Sequence, residues 1–243
     1  MQTSTIEAVK STPSKQKSWM MFDRIAGRYD LLNHLLSFGQ DILWRRTVTN
    51  ALPQGPIQKI LDIATGTGDQ LIAMMKRVSP ESVGIGVDMS SEMLAIGAKK
   101  IRHRNTLKRT ILIRADGQCI PVASNSIDVL TITFGIRNFE NTEAGLREMY
   151  RVLRPGGTAL ILEFSLPTNV LFKNVYLFYF RNILPLIGSF VSGDGYAYRY
   201  LNNTVETFPY GQDFCRIIKN VGFSKIDTTE LNLGIATIYR AAK

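Results

Sequence analysis

A short β-like run, Lys59 to Ile63, ends in Ala64-Thr65-Gly66-Thr67-Gly68-Asp69, and a helical stretch from Gln70 to Val78 follows at once. A strand that becomes a helix through two glycines holds its backbone open to a close neighbour, because glycine tolerates tight turns and has no side chain to keep a ligand away. The alternation continues downstream. A second β-run covers Val83 to Val87, a helix is expected around Ser91 to His103, a third strand around Thr110 to Ala115 and a fourth from Ile127 to Thr133. A helix around Thr142 to Leu153 then meets Pro155-Gly156-Gly157, a stop signal, before the apolar run Thr158 to Phe164. This pattern predicts a right-handed, doubly wound α/β sheet whose ligands bind beyond the carboxyl ends of its strands.

Ahead of the sheet, apolar residues at Phe22, Ile25, Tyr29, Leu32, Leu35 and Leu36 recur at helical spacing, so Trp19 to Asn50 reads as a helical cover. Residues 1–18 form a flexible polar tail rich in Ser, Thr and Lys, without the apolar stretch of a secretory signal. Residues 19–243 are then expected to be one domain, with the helical cover at its start and a large insertion after the fifth strand. A chain of 243 residues, 45% hydrophobic and 20% charged, is an ordinary globular protein and neither disordered, fibrous nor polytopic. Two cysteines, Cys119 and Cys215, with no CxxC and only His34 and His103, write neither a disulfide framework nor a zinc site; a reducing, cytoplasmic compartment is the simpler reading.

The glycine turn alone is a weak signal, and the next strand strengthens it. Asp88 ends that strand twenty positions beyond Gly68, where a carboxylate accepts hydrogen bonds from both hydroxyls of a ribose. A dinucleotide site asks for a third glycine, and Leu71 stands there instead, which demotes NAD. Asp62, at the end of its strand, repels a diphosphate and suits a cationic ligand. S-adenosylmethionine, with its amino group and sulfonium, fits that description. Asp116 and Gly117 after the third strand would reach the adenine edge, Asp116 accepting from the exocyclic amine unless it is only a turn former.

These residues resemble the class I methyltransferases, and within them the ubiquinone/menaquinone biosynthesis C-methyltransferase family (UbiE/MenG). The resemblance spans nearly the whole chain: MFDRIAGRYDLLNHLLSFGQDILWRR over 21–46, LDIATGTGD over 61–69, FGIRNF over 134–139 and YRVLRPGGTALILEFS over 150–165. The glycine loop and RPGG are widespread in methyltransferases; the YD-x-x-N-x-x-x-SFG and FGIRN strings are far more specific. The resemblance implies a Rossmann-like sheet and S-adenosylmethionine bound by Thr67 in the glycine loop, Asp88 at the ribose, Asp116 and Gly117 at adenine and Thr133 at the methionine end. Two positions depart from the family's commoner residues, Asn-Ala where Asp116-Gly117 stands and Ser where Thr133 stands. The implied reaction is methylation of a ring carbon of a prenylated quinol. Demethylmenaquinol is the first substrate and a methoxybenzoquinol the second; an RNA or other small-molecule methyltransferase using the same cofactor pocket and a catalytically silent scaffold are the competing readings, the first favoured by the basic run and opposed by the FGIRN and SFG strings, the second opposed by the intact Asp62, Gly66, Gly68 and Asp88.

A methyl group on a sulfonium needs no protein nucleophile, so catalysis reduces to alignment, activation of the acceptor and exclusion of water. Ionising or polarising a hydroxyl beside the attacking carbon makes that carbon nucleophilic. Arg137 and Asn138 follow the fourth strand and face the expected site, where a guanidinium stabilises oxygen charge; pairing of Arg137 with Glu140 or Glu163 is the competing role. Tyr29, with Asp30 behind it, is placed to bond the second oxygen or relay a proton, or is a packed aromatic. His34 reads as a surface or packed histidine.

Lys plus Arg is 29 and Asp plus Glu 20, a formal charge of +9, and much of it sits in Lys99, Lys100, Arg102, Arg104, Lys108, Arg109 and Arg114. A solvated face is the default for that run, attraction to anionic lipid the alternative, and nucleic acid a distant third, since no interleaved aromatics or known nucleic-acid signature accompany it. Val170 to Val191 is an amphipathic helix interrupted by Pro185: a core or homodimer helix, or an aromatic wall that takes a polyprenyl tail or touches the inner face of a membrane. Tyr196, Tyr198, Arg199 and Tyr200 continue it toward the acceptor.

Overall fold

A computed structural model describes residues 18–103, 109–186 and 195–243. The polar tail through residue 17, Arg104 and Lys108 of the basic run, the end of the amphipathic stretch from 187, and the side chains of Tyr196 and Tyr198 lie outside the described residues.

Seven strands form one sheet in the order β3-β2-β1-β4-β5-β7-β6. β1 (Lys59–Ile63), β2 (Val83–Asp88), β3 (Thr110–Arg114), β4 (Ile127–Thr133) and β5 (Leu153–Phe164) run parallel. β7 (Ala236–Ala242) lies antiparallel between β5 and β6 (Ser224–Leu231). Such burial on both faces needs side chains that alternate between two apolar layers, and β5 supplies them. Ala159 and Ile161 join Leu146, Met149 and Phe214 on one face, while Leu160 and Leu162 join Trp44, Leu71 and Met74 on the other. The helices are α1 (Ser18–Leu36), α2 (Gln40–Asn50), α3 (Asp69–Met75), α4 (Ser91–Arg102), α5 (Thr142–Val152), α6 (Val170–Phe178), α7 (Gly195–Thr207) and α8 (Gln212–Val221). Ser90, Asn141 and Asn169 cap α4, α5 and α6 by accepting from the backbone N–H three residues on.

Two boundaries differ from the sequence reading. α3 stops at Met75, and β5 starts at Leu153 rather than at Thr158. Pro155-Gly156-Gly157 does not interrupt that strand, because Leu153 already pairs with Ile127 and the irregularity between Ile127 and Val129 absorbs the extra chain. Gly156 takes φ +76 there and Gly157 accepts from the N–H of Lys243.

Strand order reverses between β1 and β4, the point where a crevice opens in such sheets. Both strands end in left-handed backbone at residues that have a Cβ, Ala64 at φ 50 and Phe134 at φ 56. The two turns are pressed together, since a Cβ on Gly135 would lie 2.5 Å from that of Ala64. Such conformations cost about 1–3 kcal/mol each and persist where the surroundings impose them.

Candidate active site

Two cavities open at this crevice. The first, about 880 Å³, is walled by Trp19, Phe22 and Tyr29 of α1 and by the loops after β1, β2, β3 and β4. Of the residues singled out from the sequence, it gathers Tyr29, Gly66, Asp88, Asp116, Gly117, Thr133 and Asn138. Asp88 accepts the Gly66 N–H at 2.8 Å on one oxygen and the Ser90 N–H at 2.8 Å on the other, which fixes the carboxylate and leaves it lone pairs for a diol. Burial raises its pKa against the pull of those donors. Thr133 Oγ1 and Asn138 Oδ1 are buried with no hydrogen-bond partner, as expected of groups waiting for a polar ligand. Asp116 accepts from the Gln118 backbone at 2.8 Å and so acts as a turn former while still facing the cavity. Gly117 is required by packing: a Cβ there would lie 2.4 Å from Phe139 Cζ, and one at Gly145 would lie 2.3 Å from Phe139 Cδ2. The last aromatic of FGIRNF thus slots between two glycines.

Four predicted residues lie elsewhere. Asp62 is outside both cavities and accepts from Thr131 Oγ1 at 2.6 Å and Thr65 Oγ1 at 2.7 Å, bracing the glycine turn from behind. Burial, the largest influence, lifts its pKa to about 6 although both hydroxyls and Arg45 favour the ionised form. Thr67 turns away from the first cavity to donate to Asp30 at 2.7 Å, and Lys100 ties Thr67, Asp30 and Asp69 together. Gly68, at φ +81, opens α3 and approaches Gly97 of α4. Arg137 is buried against Glu163 at 2.8 Å, donates to the Phe134 carbonyl, and lies over the Phe164 ring. Its Nε has no partner, and the residue lines the second cavity. Pairing with Glu163 was one of the two alternatives the sequence offered for it.

That second cavity, about 1310 Å³, shares Phe22, Tyr29 and Phe134 with the first. Its walls are mainly apolar: Met21, Ile25, Leu32, Trp44, Phe164, Phe180 and Leu184 among them. The amphipathic stretch contributes Tyr176, Phe180 and Leu184, and continues α6 through a π-helical turn at Tyr179–Ile183. Its other side, Val170, Leu171, Val175 and Phe178, is exposed. Tyr200 lines the cavity and Arg199 points to solvent. Tyr176 Oη is buried without a partner, and burial pushes its pKa up despite the field of Arg137. Sequence reasoning missed Tyr176 as a polar group, together with Trp44, whose Nε1 donates to Asn232 Oδ1 at 2.6 Å across 188 residues of chain. Only the spacing of Tyr176 within an aromatic helix hinted at its place.

Three of the described residues of the basic run are occupied. Lys100 is committed to α1 and α3, Arg109 pairs with Glu81, and Arg114 donates to the Met89 carbonyl beneath Trp19.

The ubiE/COQ5 methyltransferase family model matches residues 10–243. The chain belongs to the ubiE/COQ5 methyltransferase family. The methyltransferase is 45% identical to a "Ubiquinone/menaquinone biosynthesis C-methyltransferase UbiE" from Geotalea daltonii over 96% of this chain and 99% of the relative. It is 41% identical to a "Demethylmenaquinone methyltransferase" from Bacteroides fragilis over 92% and 91%, and 40% identical to one from Chlorobaculum tepidum over the whole of both. Among solved structures it resembles a SAM-dependent methyltransferase from Thermotoga maritima, with TM-score 0.65, 18% identity and coverage of 93% and 99%. The cyclase SpnF matches equally well, with TM-score 0.66, 15% identity and coverage of 96% and 97%. These two likenesses concern the fold, whose function lies in its site.

Proposed function

We propose that the chain transfers the methyl group of S-adenosylmethionine to a ring carbon of a prenylated quinol, with demethylmenaquinol as the acceptor. The observation that carries this reading is the pair of adjoining cavities, one the more polar and edged by Asp88, the other larger and mainly apolar, meeting at Phe22, Tyr29 and Phe134. When bound, S-adenosylmethionine supplies an electrophilic methyl group. Asp88 holds the ribose hydroxyls, Asp116 and Gly117 border the adenine, and Thr133 and Asn138 offer their unpaired oxygens to the amino-acid end. Asp62, Thr67 and Gly68 act one step back, holding the turn that presents Gly66. At the junction Tyr29 aligns the acceptor, and Arg137 Nε and Tyr176 Oη donate to quinol oxygen. The apolar walls keep water away from the sulfonium.

The names of the Bacteroides and Chlorobaculum relatives favour the naphthoquinol; that of the Geotalea relative supports a methoxybenzoquinol as a second acceptor. Labelled S-adenosylmethionine is offered with reduced demethylmenaquinol, the reduced demethylated methoxybenzoquinol and bulk tRNA in parallel. Label is expected in the naphthoquinol; label in tRNA alone would overturn the reading.

A prenylated quinol resides in a bilayer, and no described helix is long and apolar enough to cross one. Peripheral contact is therefore part of the proposal. Phe38 lines the second cavity while 76% exposed, and its ring lies tilted 5.8 Å from that of Tyr179, in the turn that continues α6. Phe38→Asp with Leu171→Asp is expected to abolish co-sedimentation with vesicles. Unchanged sedimentation, or conversion of a dimer to a monomer by the same changes, would assign this face elsewhere.

A further inference from the structure

The greasy cavity contains one carboxylate that the mechanism above does not use. Asp41, on the first turn of α2, is 3% exposed and lines the cavity wall. Its Oδ2 lies 2.7 Å from His34 Nδ1 on α1, and its Oδ1 accepts from Ser37 Oγ at 2.9 Å. The imidazole faces the other way: the His34 side chain is 42% exposed, against 5% for that of Asp41. A carboxylate inside an apolar chamber, hydrogen-bonded to an imidazole that reaches solvent, is a wire through the wall. Burying an ionisable group there is costly unless it is paired, and the pairing partner is the residue whose charge changes most easily near neutrality.

We infer that Asp41 and His34 are the route by which the acceptor's proton leaves the cavity. Ring methylation releases one proton per turnover. The acceptor O–H gives its proton to the pair, the ring carbon bonds the methyl group, and the C–S electron pair stays on sulfur. The ring hydrogen then leaves as a proton and returns to that oxygen through water, so the one proton left over per turnover is the one the pair has taken. Asp41 takes the acceptor's proton; the imidazole, bonded to it through Nδ1–H, then turns to present its bare nitrogen, receives that proton and gives the one it already held to water. Asp41 touches the acceptor and His34 acts through it, so the two have different signatures.

This inference rests on the quinol reading, and its test has an arm that needs no methyl transfer. A nitro-naphthol already methylated at the reacting carbon absorbs at different wavelengths when neutral and when ionised. Bound to the native protein it is expected to be ionised, and bound to Asp41→Asn neutral. A probe that is neutral in both, ionised in both, or not bound at all overturns the inference, whatever the protein methylates. An ionised probe with no quinol methylated leaves the proton route standing and overturns the substrate. In turnover, Asp41→Asn is expected to lower kcat about 100-fold, with KM and S-adenosylmethionine affinity within about threefold. The deficit should shrink as the acceptor hydroxyl is made more acidic by halogens. His34→Ala, at a side chain 42% exposed, is expected to lose activity that added imidazole restores. A loss insensitive to acceptor acidity and to imidazole would reduce both residues to packing.

Discussion

Arg137→Met separates the pairing of the guanidinium with Glu163 from the contact with the acceptor proposed for it. In the folded chain Glu163 is completely buried and Arg137 is 6% exposed, with 2.8 Å between Nη1 and Oε1. Methionine fills much of the space of the arginine stem but leaves the carboxylate without its counter-charge. Glu163 keeps two backbone donors, the Phe164 N–H at 2.8 Å and the residue-137 N–H at 3.3 Å, and the Phe134 carbonyl loses its side-chain donor. Removing one member of a buried pair costs about 3–5 kcal/mol, and the surviving backbone donors place this case near the lower end, about 3 kcal/mol. At about 2–4 °C per kcal/mol for a chain of this size, the melting temperature should fall by roughly 6–12 °C. Adding Glu163→Gln should return about 2 kcal/mol, since the stranded charge is then gone. The assay is urea unfolding of the wild type, both single variants and the double variant, with slopes compared so that only midpoints are read. A cost below about 1 kcal/mol, or a double variant no better than Arg137→Met, would refute the energetic argument. Turnover of the folded double variant then isolates what the guanidinium does for the acceptor.

Three further expectations can be read by calorimetry or unfolding. Asp88→Ala should weaken S-adenosylmethionine binding about 100-fold, the worth of two hydrogen bonds to a charged group at about 1.5 kcal/mol each; a loss under threefold would remove Asp88 from the ribose. Asp62 carries a pKa raised from 3.8 to about 6, so the folded chain holds that proton more tightly than the unfolded one. Its contribution is then greatest below pH 4 and falls by up to ~3 kcal/mol as pH climbs to about 6. Asp62→Asn should flatten that slope relative to wild type, and an identical pH profile would count against the buried, raised carboxyl. Gly117→Ala, whose Cβ would lie 2.4 Å from Phe139 Cζ and 2.8 Å from Ile63 Cγ2, should cost about 1–3 kcal/mol by overpacking, and a neutral result would mean that Phe139 has room to move.

The five parallel strands were legible because their apolar runs are punctuated by glycine turns and helical periods. β6 was not: every residue from Ser224 to Leu231 is exposed or half-buried, so no apolar face marks it, and β7 is recognisable only once the edge of β5 needs a partner. The glycine loop announced a ligand, and Gly66 with Asp88 meets the cavity as the motif suggests. Thr67 and Asp62 could not be oriented from the motif, because what decides their direction is Asp30 and Thr131, 37 and 69 residues away in the chain. Asp41 and its pairing with His34 escaped notice for a similar reason, since only the turn at Ser37 to Gly39 folds α2 back so that the two side chains meet.

The first helix has a consequence beyond enclosing two chambers. Phe22 and Tyr29 belong to both cavities, and the same helix is pinned to α4 and its cap by Asp23, which accepts from Ser90 at 2.5 Å, and by Asp30 through Lys100 at 2.7 Å. A ligand that steadies this helix in one chamber has already met part of the ordering cost for the other. The two affinities are then linked, and by thermodynamic necessity the factor by which the donor tightens the acceptor equals the factor by which the acceptor tightens the donor. Cutting the Lys100 tie should loosen that reciprocity while leaving every side chain that faces the acceptor in place.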